Sequence, residues 1–309
     1  MSLYESLTSD GAHSYKSPRR LLPNALIIGV QKASTSWLSA RLAQHPDAFV
    51  VPGEVHFFDD PENYAKGPDW YSARFAGAAQ SAIRLEKTGA YFWTTCADVP
   101  GEPQDKPERI ATLLPDARLI VMLRDPVARA YSAWNHVVRG GRVRERGSAP
   151  DFFSSEIAQD VRTHGILTRG LYHAQLARYL GVFPREQLLV LIQERDVVAN
   201  PAGGLEKVCR FLGLDPNVDF SALKQADNRF DGTRLGNRIT VPLSGSLHQA
   251  AHRLDRYLLS RLPLARLPYP TGDAVTREKL ADYFEDDCRS LAKLIGPLPE
   301  TWLGGRLVP

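Results

Sequence analysis

Cysteine is scarce, and the three present in 309 residues, Cys96, Cys209 and Cys288, stand far apart. An odd number at such spacing gives neither a disulfide framework nor a CxxC zinc site, and it suits a reducing compartment. Long apolar runs are missing as well. Residues 1–24 are polar, and the run that follows, Ala25 to Val30, is six residues long where a membrane span needs about 20. A signal peptide also needs a longer apolar core and a cleavage site. The expectation is a soluble, cytoplasmic chain with a flexible tail over residues 1–22 and one domain over residues 23–309. Charge of one sign is not in excess either, with 38 basic against 35 acidic side chains and a net charge of +3. That balance excludes a nucleic-acid coat, an acidic tail and a disordered chain, so nucleic acid is not an expected partner. No internal repeat or low-complexity tract occurs. Lysine is rare beside arginine, 9 against 29, so a lysine inside a small-residue loop is informative.

Apolar residues make up 43% of the chain. A chain of this length buries roughly three-quarters of its unfolded surface and needs no metal or disulfide to hold a core. Ala25-Leu-Ile-Ile-Gly-Val30 is a short apolar run of the kind that forms a strand buried on both faces. Gln31-Lys-Ala-Ser-Thr-Ser36 follows, then a helical pattern at Trp37, Leu38 and Leu42 that closes at His45-Pro46. A second unit of this type runs from Arg118 through Leu123 to Arg124-Asp125-Pro126, with Asp125 placed as a helix N-cap and Pro126 at the first helical position. A third apolar run, Leu188 to Ile192, follows a helix-like stretch at 171–182. Alternation of this kind predicts a single α/β domain, with a central, mostly parallel sheet flanked by helices and a P-loop-like strand–loop–helix. Leu280, Tyr283, Phe284, Cys288, Leu291 and Ile295 recur at helical spacing as a core stripe. Tyr172, Trp70, Trp93 and Trp134 also read as core.

The loop at 29–37 carries the first chemical signal. A helix start presents unpaired N–H groups and a positive dipole end, which together make an anion site. Lys32 adds a cation, and Ser34, Thr35 and Ser36 add hydroxyls. The pattern departs from the GxxxxGK[ST] of nucleotide triphosphatases, because no Ser/Thr follows the lysine to hold Mg²⁺. Glu54 and His56 stand two apart in an apolar setting, so an extended backbone points both side chains the same way. A carboxylate there can take a proton from an attacking hydroxyl. His248 and His252 have the spacing of a zinc helix but lack its glutamate, since Gln249 stands there. No metal is expected.

Gly29-Val-Gln-Lys-Ala-Ser-Thr-Ser36 and Arg124-Asp-Pro-Val-Ala-Arg-Ala-Tyr-Ser132 together make the chain resemble the sulfotransferases that use 3′-phosphoadenosine 5′-phosphosulfate. The heparan sulfate branch is the nearest, through Pro52-Gly-Glu-Val-His-Phe-Phe-Asp59, Glu86-Lys-Thr-Gly-Ala-Tyr-Phe92 and Gly170-Leu-Tyr-His173. The resemblance runs roughly over residues 22–303, and a bacterial cytosolic member is expected.

It implies a sulfuryl donor, 3′-phosphoadenosine 5′-phosphosulfate, with 3′-phosphoadenosine 5′-phosphate as product and no metal requirement. Lys32 is implied at the leaving oxygen, with Ala33, Ser34, Thr35, Ser36 and Trp37 around the 5′-phosphate and Arg124 and Ser132 on the 3′-phosphate. Glu54 is implied as base, His56 as its partner or an acceptor contact, and Lys87 beside the sulfuryl group. The family's late Lys-Gly-Arg triplet is absent, so Gly232, Thr233 and Arg234 are taken to substitute for it. Residues 236–270 are expected to form a lid, an acceptor wall or an oligomer contact. The acceptor is a glycan or small-molecule hydroxyl, and a homodimer is possible. The alternatives are a P-loop-type kinase and a catalytically silent nucleotide-binding protein.

Overall fold

The computed structural model describes residues 20–97, 99, 101–143, 150–220 and 272–306. The sheet has five strands: β1 (Ala25–Gly29), β2 (Ala48–Val50), β3 (Ile83–Lys87), β4 (Arg118–Leu123) and β5 (Leu188–Ile192). They lie in the order β2-β3-β1-β4-β5, and every pairing is parallel. Around them stand α1 (Thr35–Leu42), α2 (Pro61–Ala65), α3 (Gly67–Ser72), α4 (Lys106–Leu113) and α5 (Pro126–Arg139). Also among the described residues are α6 (Ala158–Thr163), α7 (Tyr172–Leu180), α8 (Pro201–Leu212) and α9 (Ala274–Ile295).

Central strands need apolar side chains on both faces, and β1 supplies them: Ala25, Leu26, Ile27 and Ile28 are wholly buried. Gly29 ends the strand where no side chain fits, since a Cβ there would lie 2.6 Å from that of Phe92. At the start of α5, the Asp125 carboxylate accepts from the Val127 N–H and Pro126 occupies the first turn, as the sequence predicts. Leu280, Phe284, Cys288 and Leu291 of α9 are buried, whereas Tyr283 is 38% exposed and leaves the predicted stripe. The reason is angular, because a residue one place before Phe284 sits about 100° round the helix. Leu21 and Leu22, the last residues of the expected tail, pack against the core.

Two strands escape the sequence reading. β2 is only three half-buried residues, and β3, Ile-Arg-Leu-Glu-Lys, carries three charged side chains. The chain leaves β1 toward one edge of the sheet and β4 toward the other. The crevice at the C-terminal ends of β1 and β4 is therefore where an open α/β sheet receives its ligand.

Candidate active site

An open cleft of about 630 Å³ lies at that edge, and every strand sends a residue into it. Gln31 and Lys32 follow β1, Glu54 and His56 follow β2, Lys87 ends β3, Arg124 follows β4 and Gln193 follows β5. Ser34, Thr35 and Ser36 at the start of α1 and Ser132 of α5 also line it.

One wall is the β1–α1 loop. Lys32 and Ser34 both adopt left-handed backbone, with φ of 74° and 66°, which curls the loop beneath the helix. Ser34 caps α1 without a side-chain hydrogen bond, and the first turn has no acidic residue. The first-turn N–H groups of α1 therefore face the cleft with no side-chain acceptor. Ala33 and Trp37 do not line the cleft. The Ala33 N–H donates to the Val30 carbonyl at 3.2 Å beneath the loop, and Trp37 packs against the core rather than lining the cleft. Arg124 donates to the Lys32 carbonyl at 3.1 Å, tying the two phosphate-type segments together. Burial, then Arg139 and Arg124, lower the pKa of Lys32. Gly232, Thr233, Arg234, His248, His252 and residues 236–270 lie outside the described residues.

The other wall is a chain of charged side chains. Lys87 Nζ donates to Glu54 Oε1 at 2.6 Å and reaches Ser36 Oγ at 3.5 Å. Glu54 Oε2 lies 3.3 Å from His56 Nε2, and His56 Nδ1 lies 2.8 Å from Asp59 Oδ2. The backbone here is not extended, because His56 takes a φ of 52°. The two side chains meet through this turn and not through strand alternation. Burial alone would raise the Glu54 carboxyl, but the hydrogen bonds from His56 and Lys87 overcome it and bring the pKa down to about 2. Asp59 and then Glu54 push His56 up to about 10 against its own burial. At neutral pH Glu54 is thus a carboxylate and His56 an imidazolium.

Sequence reasoning gave no role to Asp59, Gln31, Glu102, His136, Arg142, Arg169 or Gln193, all of which line the cleft. His136 had a signal: it stands four residues after Ser132, on the same face of α5. Burial, then Lys32 and Arg142, lower it to about 4, so it stays neutral. Gln193 donates to Ser34 Oγ at 2.7 Å and steadies the loop. The Arg169 guanidinium lies 4.1 Å over the Trp93 ring. Among the described residues no cluster of His, Cys, Asp or Glu could hold a metal ion.

The family described as the sulfotransferase domain matches residues 22–230. Heparan sulfate glucosamine 3-O-sulfotransferase 5 of Homo sapiens is 30% identical over 248 residues, 78% of this chain and 68% of that protein. Heparan sulfate glucosamine 3-O-sulfotransferase 3B1 of Homo sapiens is 36% identical over 205 residues, 64% of this chain and 48% of that protein. The chain therefore spans about half the length of that second relative. Among solved structures, a sulfotransferase from Alicyclobacillus acidocaldarius aligns with a TM-score of 0.63 and 25% identity, covering 91% of this chain and 98% of that one.

Proposed function

The chain belongs to the sulfotransferase domain family, and from that premise we propose that it moves a sulfuryl group from 3′-phosphoadenosine 5′-phosphosulfate to a hydroxyl of a glycan or small-molecule acceptor, with Glu54 as the base. One observation carries the reading: Lys32, the open start of α1, Arg124, Lys87 and Glu54 converge on a single cleft.

The residues fit such a donor. A 5′-phosphate suits the N–H groups of Thr35 and Ser36 together with Lys32. A 3′-phosphate suits the planar fork of Arg124 and the hydroxyl of Ser132. When bound, the donor supplies an activated sulfuryl group on a phosphate oxygen. The protein then has to position the groups and stabilise charge. Glu54 takes the acceptor's proton as the new O–S bond forms. Lys32 and the helix start meet the charge left on the phosphate oxygen as the old S–O bond breaks. Lys87 touches both halves of this process. While it holds Glu54 at 2.6 Å, the carboxylate is a weak base. An anion over Ser36 draws the same ammonium away and raises the basicity of Glu54. His56, fixed by Asp59, keeps the carboxylate oriented meanwhile. Three buried, free cysteines support a cytoplasmic setting for this chemistry.

Calorimetry and product analysis test the reading together. 3′-Phosphoadenosine 5′-phosphate should bind far more tightly than ATP. A glucosamine-containing oligosaccharide supplied with the donor should gain one sulfuryl group by mass spectrometry, with or without EDTA. ATP as the tighter ligand, or transfer abolished by EDTA and restored by Mg²⁺, would overturn it in favour of a kinase.

A further inference from the structure

Next to Lys87 on β3 stands Glu86, a carboxylate with no exposed surface that lies outside the cleft. Tyr71 and Tyr91 donate their hydroxyls to its Oε1 at 2.6 and 2.7 Å, and Thr88 donates to its Oε2 at 3.3 Å. Two of these hydroxyls also accept. Thr88 Oγ1 receives the N–H of Val55 at 3.2 Å and that of His56 at 3.4 Å, and Tyr91 Oη receives the N–H of Phe57 at 2.9 Å. All three N–H groups belong to the turn that carries Glu54 and His56, and His56 is its left-handed residue.

The direction of these bonds matters. An ionised carboxylate only accepts, so it draws the protons of Thr88 and Tyr91 inward and leaves their lone pairs facing the turn. An amide at position 86 would donate from one side, turn a hydroxyl proton outward and set it against a backbone N–H. Burial lifts the Glu86 carboxyl to about 7 while the hydroxyls of Tyr71 and Tyr91 pull it down, so the accepting form prevails above neutrality.

We propose that Glu86 is a positioning residue that, through Thr88 and Tyr91, fixes the backbone of residues 55–57 and so aims Glu54 and His56 at the acceptor. The proposal rests on the reading of Glu54 as the base. Tyr71 separates this role from plain core packing, because it donates to Glu86 but touches no N–H of the turn.

The test uses the full chain at pH 8 with Glu86→Gln, Thr88→Val, Thr88→Ser, Tyr91→Phe and Tyr71→Phe. Three quantities are read: the single-turnover rate, the affinity for 3′-phosphoadenosine 5′-phosphate, and the His56 titration by NMR. A base displaced by about 1 Å loses on the order of 10²-fold in rate. Glu86→Gln, Thr88→Val and Tyr91→Phe should slow transfer by roughly 10- to 100-fold with product affinity within about twofold. In the same variants the His56 pKa should fall from about 10 toward its ordinary range. Thr88→Ser should restore both readouts, and Tyr71→Phe should leave them near wild type. If Glu86→Gln fails to fold, Thr88 and Tyr91 still decide. Thr88→Val at the wild-type rate with an unmoved His56 titration would overturn the proposal, as would Tyr71→Phe matching the loss in Tyr91→Phe. A wild-type rate in Glu54→Gln would instead remove the base reading, while the His56 titration would still report on the turn.

Discussion

On one side of the cleft, functional groups stand at the ends of regular elements, namely the start of α1, the end of β4 and a face of α5. On the other they ride on irregular backbone between β2 and α2, and a chain of side chains from Lys87 to Asp59 holds them in place. The first wall owes its shape to backbone geometry, which few substitutions alter. The second depends on individual hydrogen bonds, each removable by one substitution. A site that must hold the same anion every time can use the first plan. A site that must take and release a proton needs the second, because only side chains titrate there.

The sharpest way to break the comparison is to remove one charge from each wall. Glu54→Gln should slow transfer by about 10²–10⁴, the usual worth of a general base, while donor-product affinity stays within a few-fold. Lys32→Ala should lower both, with turnover falling by about 10²–10³ as charge at the leaving oxygen goes unmet. Single-turnover rates beside calorimetric affinities separate the two patterns. Equal effects on affinity would erase the distinction between the walls.

A smaller effect is expected from Arg124→Ala. It should weaken 3′-phosphoadenosine 5′-phosphate by about 1.5–3 kcal/mol, roughly 10- to 150-fold, and leave AMP almost unaffected. Calorimetry with both nucleotides checks this.

The smallest effect concerns pH and stability. The folded-state pKa of His56 is raised to about 10, so its ion pairs stabilise the fold fully below its unfolded value of about 6.5. That contribution is lost as pH climbs toward about 10. The Tm difference between wild type and His56→Asn should therefore be largest near pH 6 and shrink steadily toward pH 10. Because the side chain is 42% exposed, solvent screening keeps the difference modest. A gap that widens with pH would contradict the imidazolium assigned to His56.

The same contrast decides what could be read from sequence. β1, β4 and β5 announce themselves as apolar runs, and the caps at Asp125 and Pro126 fix the start of α5, so the elements that frame this wall of the cleft were legible. That the Ala33 N–H turns to the Val30 carbonyl was not legible, because the position of a loop N–H in sequence does not say where it points. β3 stayed hidden because its polar residues are buried by partners far away in sequence, with Tyr71 lying fifteen positions before Glu86. The left-handed turn at His56 was equally invisible, since periodicity has no term for a single residue held by hydroxyls 32 to 34 positions on. Asp59 fell inside a quoted motif without a role, for it acquires one only when that turn folds back. Local patterns reveal elements, whereas a side-chain relay emerges only from tertiary contacts.

The bare start of α1 has a thermodynamic meaning of its own. A helix whose N-cap serine makes no side-chain hydrogen bond, and whose first turn has no acid, forgoes about 1 kcal/mol that a bonded Ser or Asp cap ordinarily provides. An anion seated there completes the helix, so the apoprotein is less stable than its sequence could have made it, and its occupant acts as a folding ligand. By linkage, a ligand at 100 times its Kd adds about 2.7 kcal/mol to unfolding. Under the proposed function, resistance to heat or proteolysis in a cell would follow the supply of the donor nucleotide, and the protein's abundance would report on that pool.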